Sequence, residues 1–309
     1  MEMRQVMAQV VEQIMEKDDN VVVLDADLAK AVGTTGIHRK FPSRSINVGI
    51  AEADMVSVAA GLAAYGFIPL TFTFACFSSR RVCDQVALSV AFANKPVKLF
   101  GGDPGVTAQV NGATHMGLDD IGALRSIPGL MIFEPADIVT MKTLLAQVIY
   151  NGKPVYIRLL RKEAPVIYPE GTKLDLMRIE MPRKGTDVTL AASGIMVSVA
   201  LQAAGLLEQE GISAEVLDIH TIKPLDTDTL IWSVKKTGAA VTCDNHNVIG
   251  GVGSAVAEAT AKYFPVPLEY VGTQDHFGEA AGQAYLMKKY HMTAEDIAKA
   301  ARRAIARKQ

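Results

Sequence analysis

A single acidic residue, Glu52, stands at the entrance to a long uncharged part of the sequence. It lies in the predicted first turn of a helix beginning near Ala51, and no charged residue occurs from 55 to 77. A carboxylate at a helix start can simply complement the helix dipole. A carboxylate at the edge of a buried region can also share a proton with a ligand nitrogen, as catalytic groups do. Glu52 is therefore the first candidate for chemistry.

Further candidates follow two predicted strands. Asp25 and Asp27 lie at the carboxyl end of the β-branched run that starts at Asn20, where open α/β sheets place their ligands. The strand predicted from residue 96 ends in a long loop, 101–117, and loops of this length in compact domains are usually functional or disordered. The polar residues of this loop are Asp103, Gln109, Asn111, Thr114 and His115.

Strands and helices alternate along the whole chain, which predicts α/β folding with doubly wound, mostly parallel sheets. Residues 166–186 combine prolines, glycines and mixed charge, a composition typical of a linker. We therefore expect a first domain over 1–165 and a second, smaller domain over 187–309.

Composition excludes several classes of function. A net charge of −2 over 309 residues argues against nucleic acid as a partner. The uncharged run 55–77 is interpreted as a buried helix and a buried strand, because Gly66 and Pro69 interrupt it, so no membrane partner is expected. The amphipathic, acidic first helix is unlike a signal peptide, and the odd number of cysteines, three, favours a reducing cytoplasm.

Several local sequences, taken in order, closely resemble transketolase over its pyrimidine-binding and C-terminal domains. The resemblance runs from about residue 3 to the end, and the ordered combination is more specific than any single motif. The segments are Gly49-Ile-Ala-Glu52, Thr73-Phe-Ala-Cys-Phe77, Asn111-Gly-Ala-Thr-His115, Ile157-Arg-Leu-Leu-Arg161, Leu217-Asp-Ile-His and Asp244-Asn-His-Asn.

The resemblance implies a thiamine-diphosphate enzyme of carbohydrate metabolism that moves a two-carbon ketol unit from a ketose, expected to be phosphorylated, to an aldose. Transketolases hold the diphosphate through Mg²⁺ or Ca²⁺ with a Gly-Asp-Gly…Asn segment, which this sequence lacks. The chain thus resembles the C-terminal subunit of a split transketolase. An N-terminal subunit with that segment would supply the metal site in an α2β2 heterotetramer, this chain would provide no metal ligand, and one subunit alone would be inactive.

The resemblance also assigns cofactor contacts. Glu52 matches the glutamate that hydrogen-bonds the aminopyrimidine ring and so promotes its activation. Phe77 matches the aromatic residue that stacks on that ring, and Phe74 lies nearby, where core packing is an equal alternative. Asp27 matches an acidic residue close to the thiazolium ring.

Substrate contacts are implied in the same way. His115 matches a catalytic position that contacts the donor sugar, and Arg161 matches the arginine that grips a sugar phosphate. Arg158 is expected to form a structural ion pair, and the role of Arg80 stays open because many family members have an aromatic residue there. Two substrate-binding positions depart from the family pattern: Asp103 replaces a common histidine, and Asn111 replaces an aspartate.

Two alternatives remain open at this stage. A β subunit of a 2-oxo-acid dehydrogenase first component shares the layout and the cofactor, although the segment from Ile157 to Arg161 and the loop ending at His115 favour transketolase. A non-catalytic regulatory subunit would keep the fold, and the altered Asp103 and Asn111 are compatible with it. A complete deoxyxylulose-phosphate synthase is excluded, because it would carry the diphosphate-binding domain in the same chain.

Overall fold

Each β-branched run followed by a helical stretch forms one strand–helix unit, and these units build two sheets. The computed structural model describes residues 1–308. The first half of the chain contains strands β1 Val21–Asp25, β2 Ser45–Asn47, β3 Ile68–Phe74, β4 Lys98–Gly102, β5 Met131–Phe133 and β6 Val155–Leu159, and helices α1 Met3–Met15, α2 Ala29–Val32, α3 Thr35–Lys40, α4 Glu52–Ala64, α5 Cys83–Gln85, α6 Asp120–Arg125 and α7 Ile138–Tyr150.

The second half repeats this alternation with fewer strands. Its strands are β7 Glu180–Arg183, β8 Val188–Ala192, β9 Ala214–Asp218, β10 Thr221–Lys223, β11 Ala240–Asn247 and β12 Leu268–Thr273, and its helices are α8 Met196–Glu208, α9 Thr227–Thr237, α10 Val252–Tyr263, α11 Gln283–Lys289 and α12 Ala294–Ala306.

The strands form a seven-stranded sheet, in the order β10-β5-β6-β4-β3-β1-β2, and a five-stranded sheet, in the order β12-β11-β8-β9-β7. All neighbouring strands run parallel except at one edge of each sheet, where β10 and β7 are antiparallel to their neighbours. The predicted α/β class with mostly parallel, doubly wound sheets is confirmed. Buried strands such as β1, β4 and β6 have every residue buried, as sheets covered on both faces require.

Both antiparallel edge strands differ from what the sequence suggested. Strand β7 lies inside the segment 166–186, which was expected to be an interdomain linker, and it pairs with β9. Strand β10 lies within the predicted second domain, yet it pairs with β5 of the first sheet. The chain therefore crosses between the two units and ties them together through backbone hydrogen bonds.

The helical segment that follows Val82 is only partly α-helical. It begins as the short α5 and continues as a π-helical segment over Val86–Phe92. The loop 101–117 is not extended either, since it contains 3₁₀ turns over Gly105–Asn111 and Ala113–His115. Among residues 1–308, no helix is both long and apolar enough to cross a membrane.

The centre of the first sheet explains why distant candidates meet. Strands β3, β4 and β6 are parallel, and Phe74, Gly102 and Leu159 are paired at their carboxyl ends. The residues that follow each strand consequently emerge at one edge, the usual ligand-binding edge of such sheets.

Candidate active site

Glu52 is the first residue of α4, and its side chain is only 2% exposed. The carboxylate accepts a hydrogen bond from Arg81 Nη1 at 2.8 Å and a longer one from the Thr73 hydroxyl at 3.4 Å. The Glu52 carboxylate is therefore buried, and a planar cationic group, the more exposed Arg81 guanidinium, contacts it.

Three rings surround the approach to this carboxylate. The ring centroids of Phe74 and Phe77 are 6.1 Å apart, and the imidazole of His115 lies 5.6 Å from Phe74 and 5.3 Å from Phe77. All three pairs meet edge to face, an arrangement that aromatic rings favour. His115 Nδ1 is 2.9 Å from the Thr114 hydroxyl, which orients the imidazole. The structure thus brings together three of the residues singled out in the sequence.

Arg81 belongs to this group, and sequence reasoning missed it. Its guanidinium carbon lies 3.9 Å from the centroid of Phe77, so the planar cation covers the ring while Nη1 donates to Glu52. The neighbouring Arg80 turns elsewhere, with Nε 3.4 Å from a carboxylate oxygen of Asp119. Nothing in the sequence distinguishes these two adjacent arginines, which stand at the start of a 3₁₀ turn.

Arg161 and Asp103 form a buried pair beside Phe74. Asp103 accepts hydrogen bonds from Arg161 Nε at 2.6 Å and from the Arg161 backbone N–H at 3.0 Å, and Nη2 lies 2.5 Å from the same carboxylate. The guanidinium carbon of Arg161 is 4.8 Å from the Phe74 centroid. The pair therefore adjoins the aromatic group.

Asp27 and Asn111 stand apart from these contacts. Asp27 adopts a left-handed backbone conformation with φ of 58°, and its backbone N–H donates to the side chain of Asn47 at 3.1 Å. Asn111 is exposed at the end of a 3₁₀ turn. Within residues 1–308, neither Asp27 nor Asn111 is joined to Glu52 by a hydrogen bond.

A cleft of about 490 Å³ opens in front of the aromatic group. One wall comes from the segment after β3 and from the 101–117 loop, and the other from Phe277, whose ring is 82% exposed. An adjoining cleft of about 230 Å³ continues past Arg80 towards His276. Phe277 lies in a connection of the second unit, so both halves of the chain shape the cleft.

Arg158, unlike Arg161, is wholly enclosed. It donates to Asp120 at 2.8 Å, to Glu134 at 2.8 Å and to the backbone carbonyl of Asn245 at 3.0 Å, and it lies 3.9 Å from Asp244. Burial alone would lower the pKa of Arg158, but attraction to Asp120, Glu134 and Asp244 raises it well above its usual value. The expected structural ion pair is present, and it joins the two units.

Comparison with known proteins gives the class. Residues 1–166 match the family described as transketolase, pyrimidine binding domain, and residues 178–297 match the transketolase C-terminal domain. Together these matches cover most of the chain.

Individual relatives agree with this class. The chain is 48% identical to the 6-deoxy-6-sulfo-D-fructose transketolase subunit SqwH of a Clostridium species, over 95% of this chain and 91% of the relative. It is 35% identical to one subunit of the apulose-4-phosphate transketolase of Actinobacillus succinogenes, over 88% of each chain. A solved split-gene transketolase, described as an inactive β4 tetramer, superposes with a TM-score of 0.91 at 36% identity, covering 100% of this chain and 99% of the other.

The chain belongs to the transketolase family, whose members depend on thiamine diphosphate, and it is the C-terminal subunit of a split transketolase. The predictions of family, of transferase activity and of a split subunit are confirmed.

Proposed function

We propose that this chain holds the pyrimidine half of thiamine diphosphate and forms the sugar-binding wall of an enzyme that moves a two-carbon unit from a ketose to an aldose. The observation that carries the proposal is the contact between Arg81, Phe77 and Glu52. There a flat, N–H-bearing cation stacks on an aromatic ring while it donates to a buried carboxylate.

The residues present fit an aminopyrimidine. Such a ring has the same two requirements as the Arg81 guanidinium, namely an aromatic face to lie on and an acceptor for a ring N–H. Phe77 and Glu52 supply both, and the edges of Phe74 and His115 limit the space beside them. Arg81 therefore marks the place where the ring would lie.

Each residue then has a distinct role. When bound, thiamine diphosphate supplies the carbon nucleophile that carries the two-carbon unit. Glu52 shares a proton with the ring nitrogen, a role suited to a carboxylate in a water-poor site. His115 donates a hydrogen bond to the donor sugar at the oxygen on which charge develops. Asp27, which follows β1 at the same sheet edge, would face the thiazolium end of the cofactor.

The diphosphate and its metal are assigned to another chain. Within residues 1–308, no group of three or more His, Cys, Asp or Glu side chains is arranged to hold a metal ion. We propose that an N-terminal subunit with the Gly-Asp-Gly…Asn segment provides that site, with Mg²⁺ or Ca²⁺, in an α2β2 assembly. The β4 tetramer described as inactive for the split-gene relative supports both self-association and the need for a partner.

The donor is proposed to be a ketose with an anionic group at the end remote from its carbonyl. Arg161, with Asp103, and the more exposed Asn111 would face that substrate. The names of two relatives give two versions of the anion, a sulfonate in one and a phosphate in the other. Carbohydrate metabolism in the cytoplasm is the proposed setting, and the free state of the three cysteines supports a reducing compartment.

The test is the substitution Glu52→Gln in the complex with the N-terminal subunit. The amide keeps the shape of the side chain but cannot share the proton, so we expect kcat to fall by about 100-fold or more with assembly unchanged. Asp54→Asn is the matched control, because Asp54 is an exposed carboxylate in the same helical turn. Near-normal turnover by Glu52→Gln would contradict the assigned role, as would an equal loss in the control.

A further inference from the structure

The Asp103–Arg161 pair affects which anionic group a substrate can place beside Arg161. Asp103 is 1% exposed, and the Arg161 side chain is 14% exposed, so neither charge is strongly screened by water. Arg161 Nε and Nη2 both approach the same carboxylate oxygen, Oδ2, which places the Asp103 charge directly against the guanidinium. A group that contacts Arg161 therefore meets a pair with no net charge.

Two further cations lie close to the pair and share one carboxylate. The carbonyl of Ala31 accepts from Arg161 Nη1 at 3.3 Å and from Arg4 Nη1 at 2.7 Å, so a second arginine is close. That arginine has its own carboxylate, since Arg4 Nε donates to Glu2 at 2.7 Å. Lys162 also lies 4.0 Å from Glu2. Arg161, Arg4 and Lys162 are thus matched by two carboxylates, Asp103 and Glu2, so these five groups carry one net positive charge, which suits a singly charged anion.

Arg161 nevertheless keeps hydrogen-bonding capacity. A guanidinium has five N–H donors. Nε and Nη2 each direct one N–H to Asp103, and Nη1 directs one N–H to the Ala31 carbonyl. The remaining donors of the two Nη groups can bind substrate oxygens without offering a net charge.

We propose that Asp103 is a specificity-determining residue that makes this corner accept a singly charged anionic group, a sulfonate, and discriminate against a doubly charged phosphate. Both groups present three acceptor oxygens, but phosphate monoesters carry nearly two charges at neutral pH. The second charge gains nothing from a neutral pair and is repelled by the Asp103 carboxylate. This inference rests on the proposed ketol transfer, and it names the substrate class of that same site.

The experiment uses the chain assembled with its N-terminal subunit. The donors are 6-deoxy-6-sulfofructose and fructose 6-phosphate, each with glyceraldehyde, an uncharged acceptor, so that only the donor charge changes. At about pH 8, where the phosphate is a dianion, we expect kcat/KM to favour the sulfonate by about tenfold or more. The substitution Asp103→Asn should raise kcat/KM for the phosphate donor by about tenfold and change that of the sulfonate donor much less.

Asparagine suits this position because Asp103 has a φ of 48°, a left-handed conformation that Asn also adopts readily. Glu163→Gln is the matched control, since it removes an equal charge from a side chain that is 72% exposed, and it should leave the ratio of the two donors unchanged. A measurement on the unsubstituted complex needs no variant. Its ratio of phosphate to sulfonate kcat/KM should rise as the pH falls to about 5.5, where the phosphate becomes a monoanion.

The possible results distinguish a failure of the proposed role of Asp103 from a failure of the proposed ketol transfer. Equal or better use of the phosphate donor at about pH 8, or an equal effect of Asp103→Asn on both donors, overturns the role of Asp103 and leaves ketol transfer intact. A ratio that does not change with pH overturns it as well. A complex that uses no ketose donor overturns the proposed function and this inference with it.

Discussion

Arg158 and Arg161 are three residues apart at one strand end, yet their surroundings differ completely. Arg158, within β6, is fully buried and donates to two carboxylates and a backbone carbonyl. Arg161, just beyond β6, pairs with one carboxylate, and its guanidinium lies over Phe74. The same residue type therefore joins the two units in one place and is proposed to bind substrate in the other.

The difference comes from where the partners originate. Asp120 and Glu134 belong to the first unit, whereas the Asn245 carbonyl belongs to β11 of the second. Burial alone would raise the pKa of Asp120, but the attraction of Arg158 is stronger, so the pKa of Asp120 is lowered. For Glu134, burial is the stronger effect, so its pKa is raised despite Arg158. An arginine so enclosed has no donor to offer a substrate, while Arg161 does.

The largest expected effect is on stability. Arg158→Met leaves buried carboxylates without their cation, and we expect the unfolding free energy to fall by about 3–5 kcal/mol. The matched variant Arg161→Met should cost less, about 1–3 kcal/mol, because one carboxylate rather than two loses its cation and Asp103 keeps its hydrogen bond from the backbone N–H of residue 161. Denaturant unfolding of both variants measures the difference. Equal losses would remove the distinction between the two arginines.

Among residues 1–308, Lys98 is a buried base without a carboxylate partner, in contrast to Arg158. Its Nζ donates to Asn151 Oδ1 at 2.7 Å and to the carbonyl of Lys153, and burial lowers the pKa of Lys98 to about 7. Between that pKa and the ordinary value of 10.5, the unfolded chain binds more protons than the folded one. The contribution of Lys98 to stability should therefore increase as the pH rises through this window and be flat below it.

The measurement is the unfolding free energy of the unsubstituted chain and of Lys98→Met from pH 7 to 9. The gap between the two proteins should change in favour of the unsubstituted chain by about 1 kcal/mol per pH unit. Parallel curves would show that Lys98 stays charged when buried, as Arg158 does with its carboxylates.

Much of the fold was predictable because its signals are local. The start of α4 at Glu52 and the buried strand β1 follow from apolar periodicity and β-branched runs. The pairing of β10 with the first sheet was not predictable, since Thr221–Lys223 meets Phe133 across a long sequence separation. Strand β7 was hidden for a similar reason, because prolines and charges around it are typical of a linker.

The candidate site, like the fold, was only partly predictable from the sequence. Glu52, Phe77 and His115 could be named from motifs, and the structure places them together. The partnership of Asp103 with Arg161 joins residues 58 positions apart, so the sequence showed each residue but not their mutual neutralisation. Arg81 was missed because only the backbone turn decides which of two adjacent arginines faces the carboxylate.

If this chain forms half of a thiamine site, thiamine diphosphate with Mg²⁺ should bind well only when both subunits are present. Calorimetry would be run on this chain alone, on an N-terminal subunit alone, and on their mixture. We expect saturable binding in the mixture at a level that neither chain reaches by itself. Binding by this chain alone that is as tight as binding by the mixture would show that it needs no partner to hold the cofactor.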